Sequence, residues 1–300
     1  GNEGPVREYI KKKIAPFVDN VSVDKLGDLI CHKKGKGPSL MLAAHMDEIG
    51  LMVKRVESSG RIYISALGGI NSLNMIGQTV KVVGDEGVVK GIISTKEINN
   101  DYDITEVPDI NALFVDTGLT AKELEKKGIG IGAYLSLERT DHEVGNKDFI
   151  AGKALDDRIG CFVLIELAKR FAKGKQDIYF VFTVQEEVGL YGAKVSTYQI
   201  EPEMAIAVDV SNSNDMNDEP TKTVGKGPVL TMKDDEMIGN ACINQHLRAI
   251  ARKAKIPLQL EVSNFGTTDA LTISLSKEEC PRRHWECAFE TFTRRTALEV

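Results

Sequence analysis

Helical and strand-like spacings of apolar residues alternate along the chain. Val6, Ile10, Ile14 and Phe17 recur at helical intervals among Tyr9 and Lys11 to Lys13, which predicts a surface helix over residues 6–18. Ser39 to Ala44 (SLMLAA) is a continuous apolar run without helical phase. It stops at His45, Asp47 and Glu48, the pattern of a buried strand with a polar tip.

Between about Ile49 and Ile150 the segments become short and strand-like: IGLMVKRV, RIYISAL, QTVKVVG, VVKGIIS, NALFVD and AYLSL, separated by turns such as Gly68-Gly69 and Asp85-Glu86-Gly87. One helix, Ala121 to Lys127, interrupts them. The stretch predicts a compact β insertion, a small barrel.

Past Gly152, helix and strand alternate again. Leu155 to Ala172 has helical spacing, IYFVFTV reads as a buried strand ending at Gln185-Glu186-Glu187, and Tyr191 to Tyr198 as a short helix. MAIAVDV and GPVLTMK follow as strands, then the amphipathic helix Ala241 to Lys255 and strand LQLEV. This order argues for an α/β fold with a parallel or mixed sheet covered by helices. The division that follows is a discontinuous domain over residues 1–48 and 150–300, with a β-rich insertion over 49–149.

Composition narrows the function. The 300 residues carry 44 acidic against 38 basic side chains, a formal charge of −6, so no broad positive field is offered to nucleic acid. Five cysteines without a C-x-x-C pair make neither a disulfide framework nor a zinc knuckle, which points to a reducing compartment such as the cytoplasm. The apolar runs are too short to span a bilayer, and Gly1 to Arg7 lack the order of a signal peptide. Neither nucleic acid nor a membrane is an expected partner.

The chemistry is concentrated at strand ends. SLMLAA ends at His45-Met46-Asp47, IYFVFTV runs into Glu186-Glu187, and MAIAV ends at Asp209. In open α/β sheets the carboxyl ends of strands line the ligand crevice, so residues far apart in sequence can converge there. Asp156 and Asp157 open the long helix, where a carboxylate can meet the helix dipole or a cation. Each piece has a bland reading as well. His45 suits a hydrogen-bonded strand-end histidine, Glu186-Glu187 a solvated turn, and Asp156-Asp157 an N-cap with its first-turn acid. Acids next to core strands are costly without a compensating cation, and a divalent metal accounts for all of them together.

AAHMDEIG, GKALDDRIG, TVQEEVGLYGA, AVDVS and FGTTDA, in this order, resemble the tetrahedral (TET-type) metallo-aminopeptidases, a family also filed as glutamyl aminopeptidases or CelM-like endoglucanases. The resemblance runs from about Asn2 to Lys277. It implies a zinc-peptidase-like α/β/α sandwich with an inserted β-barrel-like dimerisation domain, and dimers that assemble into hollow dodecamers. It also implies two zinc or cobalt ions and short peptides as substrates. On matching positions, Asp156 bridges both metals, His45 and Asp209 hold one, Glu187 holds the other, Glu186 is the general base, and Asp47 orients His45. The bond between Asp156 and Asp157 is implied to be cis. Phe265 to Asp269 is either a pocket lining or a helix-capping turn, the latter being favoured.

The resemblance stops near residue 278. Glu279 to Val300 holds two of the five cysteines, the lone tryptophan and four arginines, the look of a reading-frame change without a buried strand. A second histidine ligand is expected near the C-terminus, where His284 stands among unfamiliar neighbours. Gly1 to Gly4 resemble a point inside the family's first helix-loop-helix, so a fragment is expected. Three classes then compete: an active aminopeptidase, an impaired relative serving as a structural or peptide-binding subunit, and a related co-catalytic zinc hydrolase acting as a deacylase or glucanase. Loss of one imidazole leaves the second ion mainly carboxylate ligands, a site better suited to magnesium or manganese.

Overall fold

A computed structural model describes residues 2–96, 106–138, 142–143, 148–214, 216–218, 220–276 and 285–294. The chain divides into two compact units, one beginning with Gly1–Asp47 and resuming at Ala154, the other spanning Glu48–Lys153.

The first unit opens with α1 (Gly4–Ile14), whose missing N–H at Pro5 falls in the first turn, where no helical partner exists. Strands β1 (Asn20–Val23), β2 (Leu29–Lys33) and β3 (Ser39–His45) follow. The second unit contributes β4 (Gly50–Val56), β5 (Ile62–Leu67), β6 (Thr79–Gly84), β7 (Gly87–Ser94), β8 (Phe114–Asp116), α2 (Ala121–Lys126), β9 (Tyr134–Leu137), β10 (His142–Glu143) and β11 (Ile150–Ala151). Back in the first unit come α3 (Leu155–Phe171), β12 (Asp177–Thr183), α4 (Tyr191–Ile200), β13 (Met204–Asn212), β14 (Val229–Lys233), α5 (Ala241–Ala254), β15 (Gln259–Val262), α6 (Asp269–Leu275) and β16 (Trp285–Arg294).

Six strands of the first unit form a mixed sheet in the order β1-β2-β12-β3-β13-β16. The three central strands, β12, β3 and β13, are mutually parallel. Their alternation feeds two cores. Leu42 and Ala44 of β3, with Phe180 and Phe182 of β12, meet Ile10, Ile14, Cys161 and Leu164 on one face. Met41, Ala43 and Val181 meet Ala193 and Ile273 on the other. Helices on both faces explain why these strands read as unbroken apolar runs. Phe180 is fully buried, so Phe180→Ala is expected to lower unfolding stability by about 3–5 kcal/mol, read from urea midpoints.

In the second unit β4-β5-β8-β7-β6-β9 close a barrel, and they are the six strand-like segments of the sequence. Leu51, Val53, Ile62, Ile64, Val80, Val82 and Leu135 fill it. The fold is therefore α/β with a small closed barrel.

Two expectations are corrected. The tail is not devoid of a strand: Trp285–Arg294 pairs in parallel with β13 over its whole length, with one extra residue accommodated between Glu290 and Phe292. Trp285, Cys287 and Phe289 alternate with Glu286, Ala288 and Glu290, a period-two pattern that the residue composition conceals. Strands β14 and β15 do not join the main sheet but pair with each other. Residue 284, the histidine left open as a replacement for the missing second ligand, lies outside the described residues.

Candidate metal centre

The site follows from strand register. His45, last residue of β3, lies opposite Thr183, last residue of β12, while Ala207 of β13 pairs with Ala43. Asp209, two residues beyond Ala207, lies inside β13 just past that pairing and three residues before the strand's end, where its carboxyl meets the His45 side chain. The loop after β12 supplies Glu186 and Glu187, and the start of α3 supplies Asp156 and Asp157.

His45 is the hub. Its Nε2 lies 2.9 Å from Asp156 Oδ1, 3.7 Å from Asp209 Oδ1 and 4.0 Å from Glu186 Oε2, and its Nδ1 lies 3.6 Å from Asp47 Oδ1. Two overlapping sets have ligand-type atoms all within 4.8 Å of one another: His45, Asp157 and Asp209, and His45, Asp156 and Glu187. Among the described residues these sets contain one imidazole.

The two adjacent aspartates, joined by a cis peptide bond, divide the work. Asp156 faces His45. Asp157 is fully buried and accepts from the N–H of Gly160 at 2.9 Å, an N-cap contact, and from the N–H of His45 at 3.2 Å. The bland N-cap reading therefore describes Asp157 and not Asp156, and both residues keep non-helical backbone angles.

Asp47 ties the strand end to the acid loop, since its two oxygens accept from the N–H groups of Glu186 (3.1 Å) and Glu187 (3.2 Å). That loop takes a tight path. Gln185 and Leu190 both adopt positive φ, 58° and 59°, at a cost of about 1–2 kcal/mol each. Gly192 N–H closes the loop by donating to Val184 O.

Electrostatics decide what the cluster can hold. Burial, then neighbouring negative charges, pushes the carboxyls of Asp157 and Asp209 well above the usual range and that of Glu186 to about 9. Burial opposes charge on His45, but hydrogen bonds to Asp156 and Asp47 and the charges of Asp209 and Asp157 outweigh it and raise its pKa. Burial would raise Asp47 too, yet His45 and the two backbone N–H donors hold it below its ordinary value. Carboxyls packed this closely do not ionise together against one another, and a divalent cation among them reverses the balance. Hard carboxylate oxygens with one imidazole nitrogen form a donor set that can hold a divalent metal ion. The residues fit a metal.

Of two further buried acids, Asp269 falls at the end of the Phe265 to Asp269 segment and Asp28 was missed by sequence reasoning. Asp269 accepts from Thr183 Oγ1 at 2.6 Å, and its carboxyl is pushed to about 6, chiefly by burial. Its neighbour Thr268 caps α6 by accepting from the N–H of Ala270, while Phe265 is exposed, so this segment contains the capping turn. Asp28 is the second. No paired acid marks it, and its position under β12 distinguishes it.

Comparison with known proteins follows the same lines. A family model described as M42 glutamyl aminopeptidase matches residues 27–284. The chain is 38% identical to a putative aminopeptidase of Acetivibrio thermocellus, covering 94% of this chain and 83% of that protein. It is 33% identical to a lysyl aminopeptidase of Pyrococcus furiosus, covering 91% and 80%. Among solved structures, the Pyrococcus horikoshii TET1 peptidase, which can assemble into a tetrahedron or a large octahedral shell, superposes with a TM-score of 0.83 at 29% identity, covering 96% of this chain and 85% of that one.

Proposed function

We propose that this chain, which belongs to the M42 glutamyl aminopeptidase family and is a metallo-aminopeptidase, removes the N-terminal residue of short peptides with two divalent ions and Glu186 as general base. The observation that carries this reading is the convergence of Asp156, Asp209 and Glu186 within 4.0 Å of one buried imidazole nitrogen of His45. In the assignment we favour, His45 and Asp209 would hold one zinc- or cobalt-like ion, Glu187 the other, and Asp156 both. Such ions supply a water of lowered pKa and polarise the scissile carbonyl.

The protein's own groups do the rest. Glu186 accepts the proton of the attacking water and delivers it to the leaving amine, a role that suits a carboxyl whose proton affinity is raised by burial. Asp47 holds the backbone of Glu186 and Glu187 and faces Nδ1 of His45, so one carboxylate aligns both the base and the imidazole. A free substrate amine could serve as a ligand to one of the ions, which would confine cleavage to N-termini. Relatives carry glutamyl and lysyl names, so the accepted side chain is a separate question from the chemistry.

We place the enzyme in the cytoplasm as a homo-oligomer. No described helix is long and apolar enough to cross a membrane. Val83, Val88 and Ile92, exposed on the barrel, offer the apolar surface that self-association of that unit would use. A panel of amino-acid p-nitroanilides, with metal counted per chain, tests the function. Cleavage of free-amine substrates but not of their N-acetyl forms is expected, and equal cleavage of both would sink the N-terminal reading.

A further inference from the structure

Beneath the acid loop lies a carboxyl group that the reaction as described does not use. Asp28, at the entrance to β2, is completely buried. Its Oδ1 accepts from the N–H of Val184 at 2.9 Å. Val184 immediately follows β12 and precedes Glu186 by two residues. The approach is so close that a Cβ on Gly192 would stand 2.4 Å from Asp28 Oδ1 and 2.5 Å from Val184 O, so a glycine is required there.

The other oxygen is the informative one. Asp28 Oδ2 is buried and no donor reaches it, and the same is true of Asp24 Oδ2. The two carboxyls nevertheless lie in hydrogen-bonding contact. Two neighbouring carboxyls, each with a bare buried oxygen, are satisfied when one proton is shared between them. Asp24 Oδ1 already accepts from the N–H groups of Leu26, Gly27 and Asp28, which fixes its orientation.

We propose that Asp28 is a positioning residue for the peptidase reaction: as a neutral acid it donates to Asp24, accepts from Val184 N–H, and so fixes the point from which Glu186 and Glu187 project. The inference rests on the aminopeptidase reading. A second buried acid completes the clamp, since Asp269 holds Thr183 Oγ1 one residue earlier. The loop beyond has two non-glycine residues at positive φ, a shape that persists only where its surroundings over-determine it.

The charged groups around Asp28 are Asp24 from its own loop and Asp269 from α6, while Arg7 of α1 donates to Gly27 O beside it. Burial first, and the charges of Asp24 and Asp269 after it, push the Asp28 carboxyl up to about 8. The neutral form therefore prevails through neutral pH, and ionisation at higher pH sets two negative carboxylates against each other under the loop.

The test compares the parent with Asp28→Asn and Asp28→Ala, all as full chains loaded with zinc. Asparagine can donate to Asp24 and accept from Val184 N–H as the neutral acid does, so it is expected to keep the parental kcat at pH 7. Alanine offers neither contact and should lower kcat by about 10- to 100-fold with KM and metal content little changed. The ratio of Asp28→Asn to parental kcat should climb as pH passes about 8. Urea midpoints give an independent reading. An acid with a raised folded-state pKa favours folding below its unfolded value and loses that contribution as pH rises through the folded one, so the parent should lose more stability than Asp28→Asn between pH 4 and pH 9.

An alanine variant with parental kcat, an asparagine variant as slow as alanine, or a ratio that stays flat with pH would each overturn the proposal. If Asp28→Ala does not fold, the asparagine ratio decides alone. A parent that cleaves no nitroanilide would defeat the aminopeptidase reading instead. The urea series would then still show whether Asp28 carries the shared proton, and equal pH slopes for parent and Asp28→Asn would refute it.

Discussion

Glu186→Gln is expected to reduce kcat by about 10²- to 10⁴-fold while leaving metal per chain at the parental value. Glutamine has the same shape and keeps the backbone bond from residue 186 to Asp47 Oδ1, so the loop should not move. What it cannot do is accept the proton of the attacking water. The Glu186 side chain is about 10% exposed and its carboxyl stands 4.0 Å from His45 Nε2, close enough to the cluster for proton transfer yet outside both candidate ligand sets. Glu187→Gln makes the contrast, because Glu187 belongs to one of those sets, and it should lose metal along with activity. Steady-state kinetics beside elemental analysis separates the two. If Glu186→Gln turns over at the parental rate, or loses metal as Glu187→Gln does, the roles proposed for the two neighbours are wrong.

Removing the metal with a chelator should abolish peptidase activity and also change how stability depends on pH. In the stripped protein the carboxyls of Asp157, Asp209 and Glu186 all have folded-state pKa values raised above their unfolded ones, chiefly by burial. Such groups contribute stability that is fully present below their unfolded pKa, near pH 4, and lost as pH rises through the folded values, which for Glu186 is about 9. His45, also raised, loses its contribution above its ordinary value of 6.5 in the same direction. Asp47, lowered, works the other way but is a single group. The stripped protein is therefore expected to weaken steadily from acidic to alkaline pH. The loaded protein should gain most at alkaline pH, where ionised ligands bind metal best and binding to the folded state alone stabilises it. Urea midpoints at pH 5 and pH 9, with and without zinc, check this. A stripped protein that is more stable at pH 9 than at pH 5 would contradict the buried, cation-requiring character of the cluster.

Local pattern was enough to find the strands that carry the candidate site. Unbroken apolar runs leading to His45, Glu186-Glu187 and Asp209 marked buried parallel strands with candidate ligand residues at or near their carboxyl ends, because a strand covered on both faces has no polar alternation to disguise it. The six barrel strands and helix α2 were legible for the same reason, since turns punctuate short segments of strand character.

What the tertiary structure decided concerns neighbours. Nothing local places β12 between β2 and β3, yet that order sets Thr183 against His45 and brings Glu186 to within 4.0 Å of it. Asp156 and Asp157 are identical in sequence terms and separate only when one faces His45 and the other caps α3. Strand β16 was obscured because composition was weighed where alternation mattered, and its place is set by pairing with β13. Asp28 and Asp269 stand alone in the sequence, one between short strands and one after a capping threonine. What sets them apart is burial beneath the end of β12, and burial is a property of everything packed around a residue, which no window of sequence contains.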